Sequence, residues 1–485
     1  MKNLYSDTIV APATTPGTGA ISIVRLSGPQ AFEIADKVIS LKSGTISAAK
    51  AYTIHYGSVF SRGSSVISSD SPVISSEVEK SHLLDEVLVS VFRAPHSYTG
   101  EDSVEISTHA SSYIVTELIR LLISAGARMA EPGEFTRRAF INGKMDLAQA
   151  EAVADVISST TSASHRVAMN QLKGHFSNEL SGLREQLLEM ASLLELELDF
   201  SEEDVEFADR SRLLALIEET IGHTDRLAGS FKAGNMIKNG VPVAIIGPTN
   251  AGKSTLLNAL AGEDRAIVSD IAGTTRDTIE EVINIDGILF RFIDTAGLRD
   301  SEDIVEKMGI ERSYRKLSEA FIVLALPDSL ASLEEICGYV DFSSQKLFVL
   351  VNKADSLSQD DINKNVTMYN NFVSSNNYQS VIIKLSAKTG TGVQELKSAL
   401  SNSQKDLLSN LDSVFITNER HYNSLLQASA SLRAARTSLQ SGVPSELVAE
   451  DLRSAISSIN SILGRNLLDP DTILHSIFSK HCIGK

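Results

Sequence analysis

Tryptophan is absent from this 485-residue chain, and cysteine occurs only at Cys337 and Cys482. Two thiols build neither a disulfide framework nor a four-cysteine zinc site. Such sparing use points to a reducing cytoplasm. No stretch reaches the ~18 uncharged apolar residues that span a bilayer, so no membrane association is expected. Residues 1–7 lack the apolar core of a signal peptide, so export is not expected either. Positive charge is in deficit: 44 Lys and Arg face 61 Asp and Glu, for a net charge of −17. That argues against broad, nonspecific nucleic-acid binding and leaves room for a local basic surface. The remainder is ordinary for globular protein, 42% apolar and 22% charged. At about 100–200 residues per domain, the length predicts roughly three domains.

The pattern changes along the chain. Residues 1–145 alternate β-branched apolar runs with Gly/Pro turns. Residues 20–26 and 86–92 read as strands and 112–124 as a helix, so this block reads as α+β. Residues 61–81 are Ser-rich and aperiodic, which reads as a surface insertion, with a phosphorylated regulatory loop as the alternative. From 146 to 238 the period is helical: Leu183, Leu187, Met190, Leu194 and Leu198 form one apolar stripe, the mark of a bundle seam. The acidic run Asp199, Glu202, Glu203, Asp204 and Glu206 follows. It reads as a solvated turn and acidic helix start in preference to a metal site. From 239 to 404, strand-like runs at 243–246, 289–293, 321–326, 347–351 and 381–385 alternate with helical segments. This predicts a mostly parallel sheet covered by helices. Helical period returns from 405 to 485, through Leu425, Ala428, Leu432, Ala435 and Leu439, then Leu452, Ile456, Ile459 and Leu463. The expected fold is multidomain: an N-terminal α+β domain, then an α/β domain inserted into a discontinuous helical one.

The inserted block carries the chemistry. Gly247-Pro248-Thr249-Asn250-Ala251-Gly252-Lys253-Ser254 fits the phosphate-binding pattern G-x-x-x-x-G-K-[ST] between a strand and a helix that includes Thr255. Backbone amides there face the phosphates, and the helix N-terminus adds positive potential. Lys253 neutralises the β- and γ-phosphates, and Ser254 binds Mg²⁺. Asp294-Thr295-Ala296-Gly297 closes a strand, where Asp294 holds the Mg²⁺ shell and the Gly297 amide senses the γ-phosphate. Asn352-Lys353-Ala354-Asp355 closes another; an Asp there accepts both N–H groups of guanine N1 and N2, which adenine does not offer. Ser386-Ala387-Lys388 supplies the supporting loop. The stretch Ser269, Asp270, Ile271, Ala272, Gly273, Thr274, Thr275, Arg276 sits where switch I belongs, with Thr275 as second Mg²⁺ ligand. Lys253 and Arg276 are the candidate catalytic cations. Their order on successive strands identifies a Ras-like GTPase. After Gly297 stands Leu298, where Ras-like proteins carry a water-orienting Gln, so another group must position the water. Arg299, Asp300, Glu302, Asp303 and Glu306 are in reach along the chain.

Outside these motifs lie Asp7-Thr8-Ile9-Val10-Ala11, Tyr98-Thr99-Gly100-Glu101-Asp102, Pro132-Gly133-Glu134-Phe135-Thr136, Lys144 through Glu151, and the closing Cys482-Ile483-Gly484-Lys485. With them the chain resembles the tRNA-modification GTPase MnmE (TrmE) family over nearly its whole length. The resemblance implies an N-terminal folate-binding and dimerisation domain (1–145), a helical domain in two segments (146–238 and 405–485) and an inserted G domain (239–404). It implies a homodimer that, with the FAD-dependent protein MnmG in a heterotetramer, modifies C5 of the wobble uridine of certain tRNAs. The product carries an aminomethyl or carboxymethylaminomethyl group. The one-carbon unit comes from 5-formyl-tetrahydrofolate or another tetrahydrofolate derivative. The family's folate residues match Arg25, Glu105, Lys144 and Lys485. Its K⁺ ligands match Asn250, Thr274 and the backbone of Ser269 and Ile271, and its water-positioning carboxylate matches Glu306. Cys482 reads as a one-carbon nucleophile or as a thiol lining the pocket. Two departures, the insertion at 61–81 and Leu326-Pro327-Asp328-Ser329 at a strand end, touch no motif residue. The alternative function is a regulatory or ribosome-assembly GTPase without modifying activity. Such a protein calls for an RNA-binding module after the G domain, and residues beyond 405 offer no G-x-x-G loop on a basic background.

Overall fold

The computed structural model describes residues 6–61, 82–199 (side chains to 194), 210–262, 281–293, 317–409, 411, 413–465 and 484. The chain forms two compact units, residues 1–151 with 466–485 and residues 152–465. The 62–81 stretch and the acidic run from Glu202 lie outside the described residues.

In the first unit, strands β1 (Ile9–Pro12), β2 (Ile21–Ser27), β3 (Ile39–Leu41), β4 (Thr53–Ser61), β5 (His82–Phe92), β6 (Ser103–His109) and β7 (Arg128–Met129) form one sheet. Its order is β3-β4-β5-β6-β2-β1-β7. Helices α1 (Ala31–Val38), α2 (Ser112–Ser124) and α3 (Glu134–Ile141) belong to the same unit. Alternate strand residues (Val24, Leu26, Val87, Val89, Val91, Val104, Ile106) pack against Ile34, Leu118 and Leu122 of α1 and α2. This is the period-2 logic of a sheet with one covered face. The other face carries cross-strand rows. Ile54 pairs with Ser90, Ser90 with Glu105, Glu105 with Arg25, and Arg25 with Ala11. Tyr56 pairs with Leu88 one step along. Ile54, Tyr56 and Leu88 are 68%, 38% and 47% exposed. Helix α4 (Leu147–Ser158) follows.

The second unit contains helices α5 (Ser162–Leu172), α6 (His175–Asp199), α7 (Arg210–Gly229) and α8 (Phe231–Asn239), then an α/β layer, then α14 (Glu419–Gln440) and α15 (Ser445–Leu463). The expected seams are buried where they are described: Leu183, Leu187, Met190 and Leu194 on α6, with the Leu198 side chain outside the described residues; Leu425, Ala428, Leu432, Ala435 and Leu439 on α14; Leu452, Ile456, Ile459 and Leu463 on α15. The layer comprises β8 (Val241–Ile246), α9 (Lys253–Ala261), β9 (Glu281–Ile285), β10 (Ile288–Ile293), β11 (Ile322–Ala325), α10 (Leu330–Cys337), β12 (Lys346–Val351), α11 (Gln359–Ser375), β13 (Ser380–Lys384), α12 (Val393–Ser403) and α13 (Lys405–Ser409). Its sheet order is β13-β12-β11-β8-β10-β9, parallel except for the β9–β10 hairpin. Both faces are covered, so β12 reads as an unbroken apolar run. Phe348 and Leu350 pack toward Leu256, Leu260 and Leu396, while Leu347, Val349 and Val351 pack toward Leu333, Ile336 and Tyr369. Truncating one such side chain, as in Leu260→Ala, costs about 2–5 kcal/mol. The sequence reading missed β9. Its signal was Asp286-Gly287, which turn the hairpin with φ of 51° and 83°.

The layer is thus inserted between α8 and α14, and both crossings meet one carboxylate. Asp155 of α4 binds Lys238 Nζ at 2.7 Å and accepts from Thr417 Oγ1 at 3.5 Å. Ser230 Oγ also accepts from the Ile416 amide. The fold is α+β followed by a P-loop α/β layer within a discontinuous helical domain.

Candidate functional site

Strands β8, β10, β12 and β13 run parallel in one sheet, or parallel to a common neighbour, and each is followed directly by a motif. Ligands of open α/β sheets bind outside these carboxyl ends, at the point where strand order reverses. Here the chain steps from β8 to β10 on one side and to β11 on the other.

The phosphate-binding loop joins β8 to α9. Asn250 has φ 64° and Gly252 φ 95°. A Cβ on Gly252 would lie 2.4 Å from Asn352 Nδ2, so the loop approaches Asn352 only with glycine there. Lys253 opens α9, and its Nζ donates to the carbonyls of Gly247 (2.8 Å) and Pro248 (2.9 Å). The ammonium therefore sits over the loop, and burial pushes its pKa down. Ser254 and Thr255 follow in the first turn of α9, where backbone amides have no helical acceptor.

Asn352 is the brace of the site. Its Nδ2 donates to the Ala251 carbonyl at 2.8 Å, and its Oδ1 accepts from the Ala387 amide at 3.0 Å. One side chain thus fixes the phosphate loop and the Ser386-Ala387-Lys388 loop on the strand end between them. Lys353 adopts φ 62° beside it. The Ala354 amide donates to the Leu385 carbonyl at 3.1 Å. Ser386 Oγ donates to Asp355 Oδ1 at 2.6 Å, and that bond holds the Asp355 carboxyl below its ordinary pKa. The Ser386 hydroxyl in turn accepts from the Thr389 amide. The result is an ionised, oriented carboxylate at the base-recognition position. Asp294 directly follows Ile293, the last residue of β10. Asp294, Thr295, Ala296, Gly297, Leu298, Ser269 through Arg276, and Glu306 lie outside the described residues.

In the first unit, Arg25 and Glu105 form an ion pair in which Nε at 2.9 Å and an end nitrogen at 2.8 Å meet the same carboxylate oxygen, Oε1. Two rings border the guanidinium, Tyr98 at 5.3 Å and Phe135 at 5.6 Å from their centroids. Its remaining nitrogen donates to the carbonyl of Gly484, 459 positions away, at 3.5 Å. Lys144 does not join that pair directly. Its Nζ donates to the Pro95 carbonyl at 3.0 Å, and its stem lies against Gly100, so Lys144 and Arg25 border the same 95–101 loop. Cys482 and Lys485 lie outside the described residues.

The sequence reading missed Tyr98 and Phe135 as neighbours of Arg25, and it missed an ionic network centred on the buried Arg138. Arg138, with 0% side-chain exposure, binds Asp7 (2.8 Å), Glu134 (3.0 Å) and Glu101 (3.3 Å). Arg128 binds Glu134 at 2.6 Å and Asp7 at 2.8 Å. Ser27 Oγ donates to Glu101 at 2.8 Å. The separated blocks that begin at Asp7, Tyr98 and Pro132 therefore meet in one cluster. The only signal was their charge: Asp7, Glu101, Glu134 and Arg138 sit within otherwise apolar or turn-forming blocks.

Comparison with known proteins agrees with this architecture. Residues 8–144 match the family model described as the GTP-binding protein TrmE N-terminus, and residues 147–482 match the MnmE helical domain. The tRNA modification GTPase MnmE of Flavobacterium johnsoniae is 46% identical over 491 residues, covering 99% of this chain and 100% of that one. That of Cytophaga hutchinsonii is 47% identical over 485 residues, with 99% and 98% covered. That of Bacteroides fragilis is 46% identical over 489 residues, with 99% and 100% covered. Among the described residues no helix is long and apolar enough to cross a membrane. With the guanine-nucleotide loops braced at the strand ends and both family models matched in order, the chain belongs to the MnmE family of tRNA modification GTPases, GTP hydrolases that act in tRNA modification.

Proposed function

We propose that this chain hydrolyses GTP in a K⁺-stimulated reaction and uses the cycle, with the FAD-dependent partner MnmG, to modify C5 of the wobble uridine of certain tRNAs. The product is an aminomethyl or carboxymethylaminomethyl group built from a tetrahydrofolate one-carbon unit. The division into 1–145, 146–238, 239–404 and 405–485 is the working domain scheme. The observation that carries the reading is the meeting of Arg25 and Glu105 with the Gly484 carbonyl inside the first unit. The C-terminal signature shares a unit with the residues assigned to folate, as a site joining the two requires.

In the G domain, Lys253 orients and neutralises the β- and γ-phosphates, and Asp355 reads guanine with the support of the Ser386-Ala387-Lys388 loop. Ser254 and Thr275 would hold Mg²⁺, which supplies charge neutralisation on the phosphates. Asn250, Thr274 and the backbone of Ser269 and Ile271 would hold K⁺; oxygen-rich donors of this kind suit a hard cation. Glu306 orients the attacking water in place of the Gln that Leu298 displaces, and Arg276 adds switch I charge. In the first unit, Lys144 and Lys485 offer cations to the glutamate tail of a folate, and Arg25–Glu105 provides a fixed polar edge for a pterin. Homodimerisation fits the exposed apolar face Ile54, Tyr56 and Leu88, which lies in the cross-strand rows beside Arg25 and Glu105.

The test is twofold. Titration with 5-formyl-tetrahydrofolate is expected to saturate, and Lys144→Ala to weaken it; no binding at millimolar ligand overturns the folate assignment. Mass spectrometry of wobble uridines from cells lacking the protein is expected to show loss of the C5 group. Unchanged uridines would instead favour a regulatory GTPase.

A further inference from the structure

We propose that the two chain crossings between the α/β layer and the helical domain form one latch, whose closure is coupled to the nucleotide held in the layer. All of its residues lie in the second unit. The chain enters the layer through α8 and leaves it through Phe415, Ile416 and Thr417, and the two crossings lie backbone on backbone. A Cβ on Gly234, inside α8, would lie 2.2 Å from the Ile416 carbonyl oxygen and 3.2 Å from Phe415 Cβ. Gly234 is buried in a helix, where the backbone angles suit any residue and glycine weakens the helix. Close approach is what the position demands.

Side chains of the helical domain hold the departing segment there. Residues 415–417 belong to no helix or strand, so their backbone groups take partners from elsewhere. The buried Gln171 of α5 donates to the Phe415 carbonyl at 2.9 Å and to Thr417 Oγ1 at 3.1 Å. Ser230 Oγ accepts from the Ile416 amide at 3.0 Å. Asp155 joins Thr417 to Lys238, near the end of α8. Apolar contacts tie α8 to both sides: Met236 packs in the layer core, and Ile237 against Ala163 and Val167 of α5. Hydrogen bonds such as these exchange for water at small net cost, so the seat has an open state as well as a closed one.

Each crossing leads to one half of the nucleotide site. α8 runs through Gly240 into β8, which ends at the phosphate loop. The Ser386-Ala387-Lys388 loop is followed by α12 and α13, which lead to Phe415. A nucleotide that bridges the two loops fixes one end of each path, and the closed latch fixes the other. Whatever nucleotide binding does for closure, closure does for nucleotide binding, because coupling between sites is reciprocal.

Hydrogen exchange of the full-length protein tests the latch, with GDP as the probe. GDP is expected to slow exchange of the Ile416 amide about tenfold more than that of the Leu187 amide in α6, which reports global opening. Gly234→Ala is expected to speed Ile416 exchange in the nucleotide-free protein and to weaken GDP binding, measured by calorimetry, by up to the same factor of about ten. Asp155→Asn keeps the shape and loses the ion pair to Lys238. It should act in the same direction by about fivefold, and it carries the test if Gly234→Ala fails to fold. Equal protection of the Ile416 and Leu187 amides by GDP in the parent overturns the latch. So does a variant whose Ile416 exchange rises while its GDP affinity stays parental.

Discussion

The Ser386 hydroxyl donates a 2.6 Å hydrogen bond to Asp355 Oδ1, joining the loop after β12 to the loop after β13. The bond orients the carboxylate and holds it ionised below the usual Asp range. In Asp355→Asn an amide donor replaces one acceptor, which opposes guanine N–H and suits the carbonyl of xanthine. GTP affinity is expected to fall by about two orders of magnitude, since a hydrogen bond to a charged group contributes about 1.5–3 kcal/mol. Affinity for xanthosine triphosphate should rise. Ser386→Ala should weaken GTP only about fivefold. Calorimetric titration with both nucleotides decides this, and unchanged GTP affinity in Asp355→Asn would refute the assignment. Because the Asp355 pKa is depressed, GTP affinity should persist as pH falls into the ordinary carboxylate range and decline only below it.

Leu298 offers no hydrogen bond to water, and Glu306 is the proposed replacement. Glu306→Ala should lower GTP turnover by about a hundredfold or more, the range of acid–base and water-positioning groups. GTP affinity should change little. Parallel loss of binding and rate in a nucleotide titration with single-turnover kinetics would mark Glu306 as structural.

A cation beside the phosphates offsets charge developing on the β–γ bridge, as an arginine finger does. GTP turnover should rise strongly when K⁺ replaces Na⁺ at equal ionic strength. Asn250→Ala should abolish the difference. Equal rates in the two salts, or full stimulation in Asn250→Ala, would remove K⁺ from the mechanism.

Glu134 is fully buried, and burial alone would raise its pKa. Bonds from Arg128, the Glu131 amide and Arg138 outweigh that and hold it lowered. Asp7 is lowered in the same way, against burial, by Arg128 and Arg138. Carboxylates with depressed folded pKa values stabilise fully above their unfolded values, and the contribution disappears as pH falls through the folded ones. Stability of the first unit should therefore be flat down to about pH 4 and fall below it. Glu134→Gln should cost about 3–5 kcal/mol, because it leaves Arg138 with a missing buried partner. Urea midpoints across pH measure both effects, and a loss within about 0.5 kcal/mol, typical of surface substitutions, would show that the network carries little stability.

The family-level signature was legible because each of its parts is local. The phosphate loop, Asn352 through Asp355 and Ser386 through Lys388 are short contiguous runs at strand ends, and the strands announce themselves by β-branched runs of four to six residues. The helix over Ser112–Ser124 was readable from its own period. β9 escaped because a five-residue strand of mixed character carries little period, although its Asp286-Gly287 turn was in plain view.

Sequence by itself determined the nucleotide class, the order of the domains and which faces are apolar, since each follows from chemistry within a few residues of chain. Tertiary structure alone decided the rest. It placed Asn352 between two loops 101 and 35 positions away. It gathered Asp7 and the buried Glu101, Glu134 and Arg138 into one cluster, and it brought Gly484 onto Arg25 across 459 positions. The physical reason is that a cation or a glycine has no period of its own. Its role is fixed by whichever distant backbone and carboxylate the packed sheet presents to it.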